Sequence, residues 1–230
     1  MLLAAILFVA SPARAQGGPE QIEQIEPGRG EWQAEYYGAF GGAGNQSAQL
    51  LVGVFGPLVL GAEAEFQGPH DRLLFDSFGP VLLYRAIDPD ERPVGLGIEL
   101  QASIGRDGTF KGVDARAMVE RRADDWWWQG NLILRNARED GSDGTSLAYA
   151  ASVQRSLGGG TWLGIEASGQ LKLLDGATEL APEGRHYAGP SLTAELPIGG
   201  KQAELGLAWL QRLRGDGAGS GPRIFAQFSF

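Results

Sequence analysis

From Glu31 to the last residue, apolar side chains recur at every second position, the period of a strand whose two faces meet different surroundings. The clearest run sets Val94, Leu96, Ile98, Leu100, Ala102 and Ile104 against Gly95, Gly97, Glu99, Gln101 and Ser103. Trp32, Ala34 and Tyr36 alternate with Gln33 and Glu35, and Leu60, Ala62, Ala64 and Phe66 with Glu63, Glu65 and Gln67. Further on, Val113, Ala115 and Val119 oppose Asp114, Arg116 and Glu120, Leu132 and Leu134 oppose Asn131 and Arg135, and Ile165 and Leu171 oppose Glu166 and Lys172. Leu192 and Leu196 oppose Glu195, and Leu205 and Leu207 oppose Glu204. With the less regular stretches Gln46 to Phe55 and Leu73 to Ala86, the pattern predicts an all-β chain of about 12 strands. No segment keeps a helical period.

Alternation does not say which face points outward, because a soluble sandwich or lipocalin-like barrel carries the same stripe with its apolar side inward. The connections help decide. Links after odd-numbered strands fall at Gly41 to Asn45, Gly68 to Asp71, Asp107 to Lys111, Arg138 to Gly144, Asp175 to Arg185 and Arg214 to Gly221. Links after even-numbered strands are mostly tighter: Gly56 to Pro57, Ala123 to Asp125, Gly158 to Gly160 and Pro197 to Gly200, with Asp88 to Arg92 the longest. Alternating long and short links are the habit of transmembrane barrels with external loops and periplasmic turns.

Aromatic placement points the same way. Trp126, Trp127 and Trp128 stand at one strand start and Trp162 at another, while Tyr84 and Trp209 lie near strand ends, where amphipathic rings form membrane-interface girdles. The chain closes on Ile224, Ala226, Phe228 and Phe230. In this it resembles bacterial outer-membrane barrels, whose last strand ends in an aromatic residue with apolar residues alternating behind it. The resemblance implies that Ile224, Phe228 and Phe230 are an assembly signal for the barrel-assembly machinery. Lipid offers no hydrogen-bonding partner, so a spanning sheet has to close on itself. The expected architecture is therefore a transmembrane antiparallel up-and-down barrel over residues 31–230.

The N-terminus fits an exported protein. Leu2 to Ala10 is continuously apolar, and Ala13, Arg14 and Ala15 form a small-x-small cleavage site ahead of Gln16. Residues 1–15 are predicted as a signal peptide and the location as the outer membrane. Residues 16–30, rich in Glu, Gln, Gly and Pro, read as a flexible periplasmic leader outside the barrel. Beyond the hairpins no internal repeat is expected.

Composition removes several function classes. The net charge of −9 argues against nucleic acid as a partner, and the absence of cysteine excludes disulfides, thiolate metal sites and cysteine nucleophiles. If the apolar stripe meets lipid, the lumen receives Glu35, Glu63, Glu65, Glu99, Asp114, Glu120, Glu166, Glu195 and Glu204, with Arg116, Arg135 and Lys172 as its main bases. A water-filled lumen of that composition favours cations. External loops this short do not fold inward, so strand side chains are expected to set the pore size. Outer-membrane lipid is the surrounding partner, and Trp126, Trp128, Trp209 and Tyr84 are its interface residues.

Candidate chemistry is sparse. His186 with Ser146 and Asp143, or with Glu183, would be the material for a rim hydrolase, but the strand phase turns His186 toward lipid, and His70 sits in a loop. The acids lack the spacing of a calcium loop, and Gly158, Gly159 and Gly160 precede no helix or Lys, so neither a metal nor a phosphate-bearing cofactor is expected. The stretch from Val94 to Phe230 resembles small outer-membrane barrels assigned to transport in the meta-pathway of phenol degradation. That likeness rests on the rhythm of Val94, Gly95, Leu96, Gly97, Ile98, Glu99 and Leu100 and on the ending Arg223 to Phe230. It implies passage of small molecules, aromatic ones included, and carries over no functional residue. The reading is a passive channel for small solutes, with a closed barrel anchoring an envelope partner through the leader as the alternative.

Overall fold

The computed structural model describes residues 18–41, 44–68, 73–139, 142–176, 185–215 and 218–230. The predicted signal peptide 1–15, His70 and Glu183 lie outside them.

Twelve antiparallel strands follow the chain order around a closed cylinder: β1 (Trp32–Ala39), β2 (Gly44–Phe55), β3 (Leu58–Gly68), β4 (Leu74–Ile87), β5 (Gly95–Gly105), β6 (Phe110–Ala123), β7 (Trp126–Glu139), β8 (Ser142–Gly158), β9 (Thr161–Gly176), β10 (His186–Ile198), β11 (Lys201–Arg214) and β12 (Gly221–Ser229). Closure is made by β1 against β12, from Gln33 opposite Ser229 to Ala39 opposite Arg223. Trp32 and Phe230 finish it by exchanging both backbone hydrogen bonds. The rim that carries these two residues is called proximal here and the opposite rim distal.

Proximal turns are short because glycine and aspartate at positive φ let the chain reverse in two residues: Gly56 before Pro57, Asp124 before Asp125, and the pairs Gly159–Gly160 and Gly199–Gly200. Only the β4–β5 link is long at this end. Distal connections follow the predicted positions, with one difference. The Arg138 to Gly144 loop is mostly ladder, paired as far as Glu139 opposite Ser142. At the β5–β6 loop the Thr109 amide and hydroxyl donate to Asp107 Oδ1, at 3.0 and 2.6 Å, and hold that carboxyl below its usual range.

The direction of the apolar stripe is unambiguous. Ile98 is 52% exposed and Ile165 63%, whereas Glu99, between Ile98 and Leu100, is 3% exposed. Leu60, Leu82, Leu132, Leu192, Leu205 and Leu207 also stand outward. Such a surface is stable only against an apolar surrounding, since each methylene left in water forfeits about 0.8 kcal/mol. Outward aromatic rings gather toward both rims. Trp32, Tyr84, Trp126, Trp128, Phe228 and Phe230 are exposed near the proximal one, and Phe75, Phe78 and Phe110 near the distal one.

Inside, the architecture departs from the sequence reading. Residues 18–30 do not form a leader outside the barrel; they run through its lumen. Gly18 lies beside Ala39 and Asn45 near the distal rim, and Gly28 to Gly30 lie against Gly53 near the proximal one, where Gly30 N–H donates to Gly53 O at 2.8 Å. Twelve strands at about 4.8 Å spacing and a tilt of roughly 40° place opposite walls about 24 Å apart. Inward side chains on both walls leave room for a single extended chain. A segment with few apolar groups cannot form a hydrophobic core, but it can be buried where the surrounding wall is itself polar. The free width of the lumen is therefore set here by the segment together with the strand side chains.

Candidate functional site

Because successive side chains point to opposite faces, every strand contributes its polar set to the lumen, and the strand phase brings the carboxylates of several strands together. Glu63, Glu99, Glu120, Glu166 and Glu204 are buried there, and Glu35, Glu65, Asp114, Arg135 and Glu195 are half-buried. Arg116, 5% exposed, lies 3.6 Å from Glu99. Asp114 accepts from Arg135 at 2.8 Å. Glu35 accepts from Gln33, Glu65 from Ser77, and Glu166 from Arg223.

Lys172 is a correction. It lies opposite Leu147, whose side of β8 is the outer one, while Gln170 lies opposite Ala148 on the inner side. A β-bulge at Leu171 accounts for the change: one extra residue puts Leu171 and Lys172 on the same face. Alternation counted straight through the bulge gives the wrong face.

The lumen also holds bases that the sequence reading did not name. Arg85 is buried and pairs with Asp88 at 2.8 Å, Lys111 with Asp76 at 2.7 Å, and Arg185 approaches Glu20 at 3.6 Å. Arg122 lies over the Trp127 ring at 3.7 Å and bonds Glu195 at 2.5 Å, with Glu120 and Glu204 at 3.7 and 3.8 Å. Trp127 is therefore not part of the outer girdle. It is wholly buried, donates to Glu120 at 2.8 Å and meets Trp162 edge-on. Arg122 stood in the polar phase of β6 with Asp114, Arg116 and Glu120, so parity could have found it, whereas Arg85 shares its phase with the apolar Val81 and Leu83, and Arg185 lies just before β10. The Trp126 to Trp128 run hid an inward ring between two outward ones. With Lys172 outside and these further bases inside, the acidic excess of the barrel wall alone is smaller than expected, while Glu20, Glu23 and Glu26 of the N-terminal segment add carboxylates to the lumen.

Along this wall, inside the lumen, runs the N-terminal segment. Its sequence contains a three-residue repeat, too short to register among hairpin-sized periods: Glu20, Gln21, Ile22, then Glu23, Gln24, Ile25, then Glu26. Arg135 donates to both Glu20 carboxylate oxygens, at 3.2 and 3.1 Å. Asn131 accepts from Glu23 N–H at 2.7 Å and donates to Glu23 O at 3.1 Å. Arg116 donates to Gln21 O at 2.9 Å and lies 3.7 Å from the Glu23 carboxylate. Gln24 donates to Glu204, and Gln227 to Glu26, each at 2.8 Å. Ile25 packs into the one sizeable apolar pocket among the described inward residues, formed by Leu51, Val59, Val81, Leu83 and Met118.

Two cavities adjoin it among the described residues. A gap of about 10 Å³ near Gln21, Glu35 and Gln227 has room for about one water, and a recess of about 170 Å³ opens near the distal rim between Glu20, Asp76, Lys111 and Arg138. Polar atoms of Gln49, Gln129, Ser191 and Thr193 are buried without a protein partner, in the positions that buried groups normally share with water.

The residues weighed for hydrolysis are not assembled. His186 Nδ1 lies 3.2 Å from the Tyr149 hydroxyl on the outer face, and Ser146 is buried on the inner one. A sheet separates them, and no nucleophile–base hydrogen bond can cross it.

No protein-family model matches the chain, that of the meta-pathway barrels included, and no curated protein matches it. A chain from work on the in-meso crystallization of membrane proteins superposes over 87% of this chain and 83% of its own, with a TM-score of 0.50 and 12% identity. The loop L8 deletion mutant of OmpT, an outer membrane protein of Vibrio cholerae, aligns over 87% of this chain and 98% of its own, with a TM-score of 0.36 and 10% identity. At 12% identity the first likeness is one of fold alone. Closure, strand parity and the outward apolar belt make this chain a twelve-stranded antiparallel barrel of the outer-membrane type.

Proposed function

We propose that the chain is exported to the outer membrane and acts there as a passive channel for small solutes, with its own N-terminal segment occupying the lumen in the closed state. One observation carries this reading: a separate extended segment, not interlocked barrel side chains, fills the centre of the cylinder. The wall facing it is lined in part by small residues, among them Ala148, Ala150, Ser152, Ser168 and Ser191. Outside the Ile25 pocket, hydrogen bonds and ion pairs hold the segment to the wall. Water can replace such contacts, whereas an apolar core would resist hydration. Withdrawal of the segment would leave a hydrated passage lined by Glu, Gln, Ser and Arg.

The full-length chain can be locked for the test. A Cβ at Gly18 would lie 3.8 Å from the Cβ of Ala39, within the reach of a disulfide, and the protein has no other cysteine. The Gly18→Cys, Ala39→Cys chain in a planar bilayer is expected to be silent when oxidised and to show discrete openings when reduced. Silence in both states overturns the channel reading and favours the closed structural barrel. Equal conductance in both states also overturns the proposed gating.

A further inference from the structure

We infer that the lumen is a receptor for an extended acidic peptide, and that the N-terminal segment is its tethered occupant. The inference rests on the channel reading above and names the class of solute that the same passage recognises. Three kinds of contact support it. First, the wall reads the main chain: Asn131 pairs with both the N–H and the C=O of Glu23, Arg116 donates to Gln21 O, and the Tyr37 hydroxyl donates to Pro19 O at 2.9 Å. The Asn131 pair needs an amide N–H and C=O together, which a polypeptide offers and a polyphosphate or polysulfate does not. Second, carboxylates three residues apart meet separate stations: Glu20 at Arg135, Glu23 at Arg116 and Glu26 at Gln227. Three extended residues span about 10 Å, so the stations form a ruler along the axis. Third, the pocket around Ile25 gives the track one apolar anchor point.

A tethered segment of this length acts at an effective concentration in the millimolar range, so free peptide enters only when the segment is out. Competition therefore needs a full-length chain with weakened anchors. The chain carrying Glu20→Ser, Glu23→Ser, Ile25→Ser and Glu26→Ser, shown to be closed by its gel mobility before and after heating, is titrated in detergent with a fluorescent peptide of sequence 16–30. The native peptide is expected to bind at least tenfold more tightly than one with Glu20, Glu23 and Glu26 replaced by Gln. The oxidised Gly18→Cys, Ala39→Cys chain, tested in parallel, is expected to exclude both peptides. Smaller discrimination, or no binding, overturns the inference.

Should the anchorless chain fail to close, the reduced double-cysteine chain gives a second reading. Excess native peptide is expected to slow its disulfide formation at least threefold while the Gln peptide leaves the rate unchanged. Equal effects, or none, overturn the inference. Neither assay measures conductance, so peptide recognition and channel activity can fail separately.

Discussion

At the scale of single residues, some of the buried charges have a partner built in. Arg223 and Glu166 form an ion pair with both side chains 4% exposed, on strands far apart in sequence. Arg223→Met leaves the Glu166 carboxylate buried and unpaired, and is expected to cost about 3–5 kcal/mol in denaturant titrations of the barrel in vesicles. Adding Glu166→Met should recover most of that loss, because a buried pair contributes little net stability once both charges are gone. A double variant no more stable than the single one would show that the pair is not the cause. The same β12 stretch holds an inward ring. Phe225 lies over Gly206, where an added Cβ would come within 1.8 Å of the ring, so the strand can turn Phe225 inward beside Arg223 only because β11 has glycine opposite it. Parity along β12 was legible in the sequence, but the partner that makes each inward residue acceptable lies on another strand.

At the scale of elements, the strands and turns were readable because each is written locally: a period of two for the strand and glycine or aspartate at the reversal. The N-terminal segment was not. Its polar composition is the usual mark of a chain outside a folded domain, yet a polar lumen gives the same residues hydrogen-bonding partners. Gly53 shows how closely it is held at the proximal end, since a Cβ there would sit 2.0 Å from Gly28 O. Gly53→Val should therefore push the segment off β2. The expected outcome is faster cleavage after Glu23 and Glu31 by a glutamate-specific protease, together with more frequent channel openings, while gel mobility before heating stays that of a closed barrel. Unchanged cleavage would mean that the crossing at Gly53 does not control retention of the segment.

At the scale of the whole molecule, function follows from closure, because only a cylinder without edges can turn a polar wall inward and an apolar wall to lipid. Ala226 lies midway along the closing strand, opposite Tyr36 on one side and Leu205 on the other. Ala226→Pro removes a ladder donor, costs about 3 kcal/mol or more, and is expected to abolish the heat-sensitive fast-migrating band that marks a sealed barrel in SDS gels. Persistence of that band would show that the β1–β12 seam is not needed for closure. By itself the sequence determined a strand count of about 12, the turn positions and, away from bulges, which residues share a face, since all three depend on neighbours a few positions away. Only the tertiary structure decided that Lys172 turns outward, that Trp127 and Arg122 sit inside together, and that residues 18–30 fill the lumen. Those outcomes depend on a bulge and on which walls meet across the cylinder, and residues more than a hundred positions apart come into contact only after the sheet has closed.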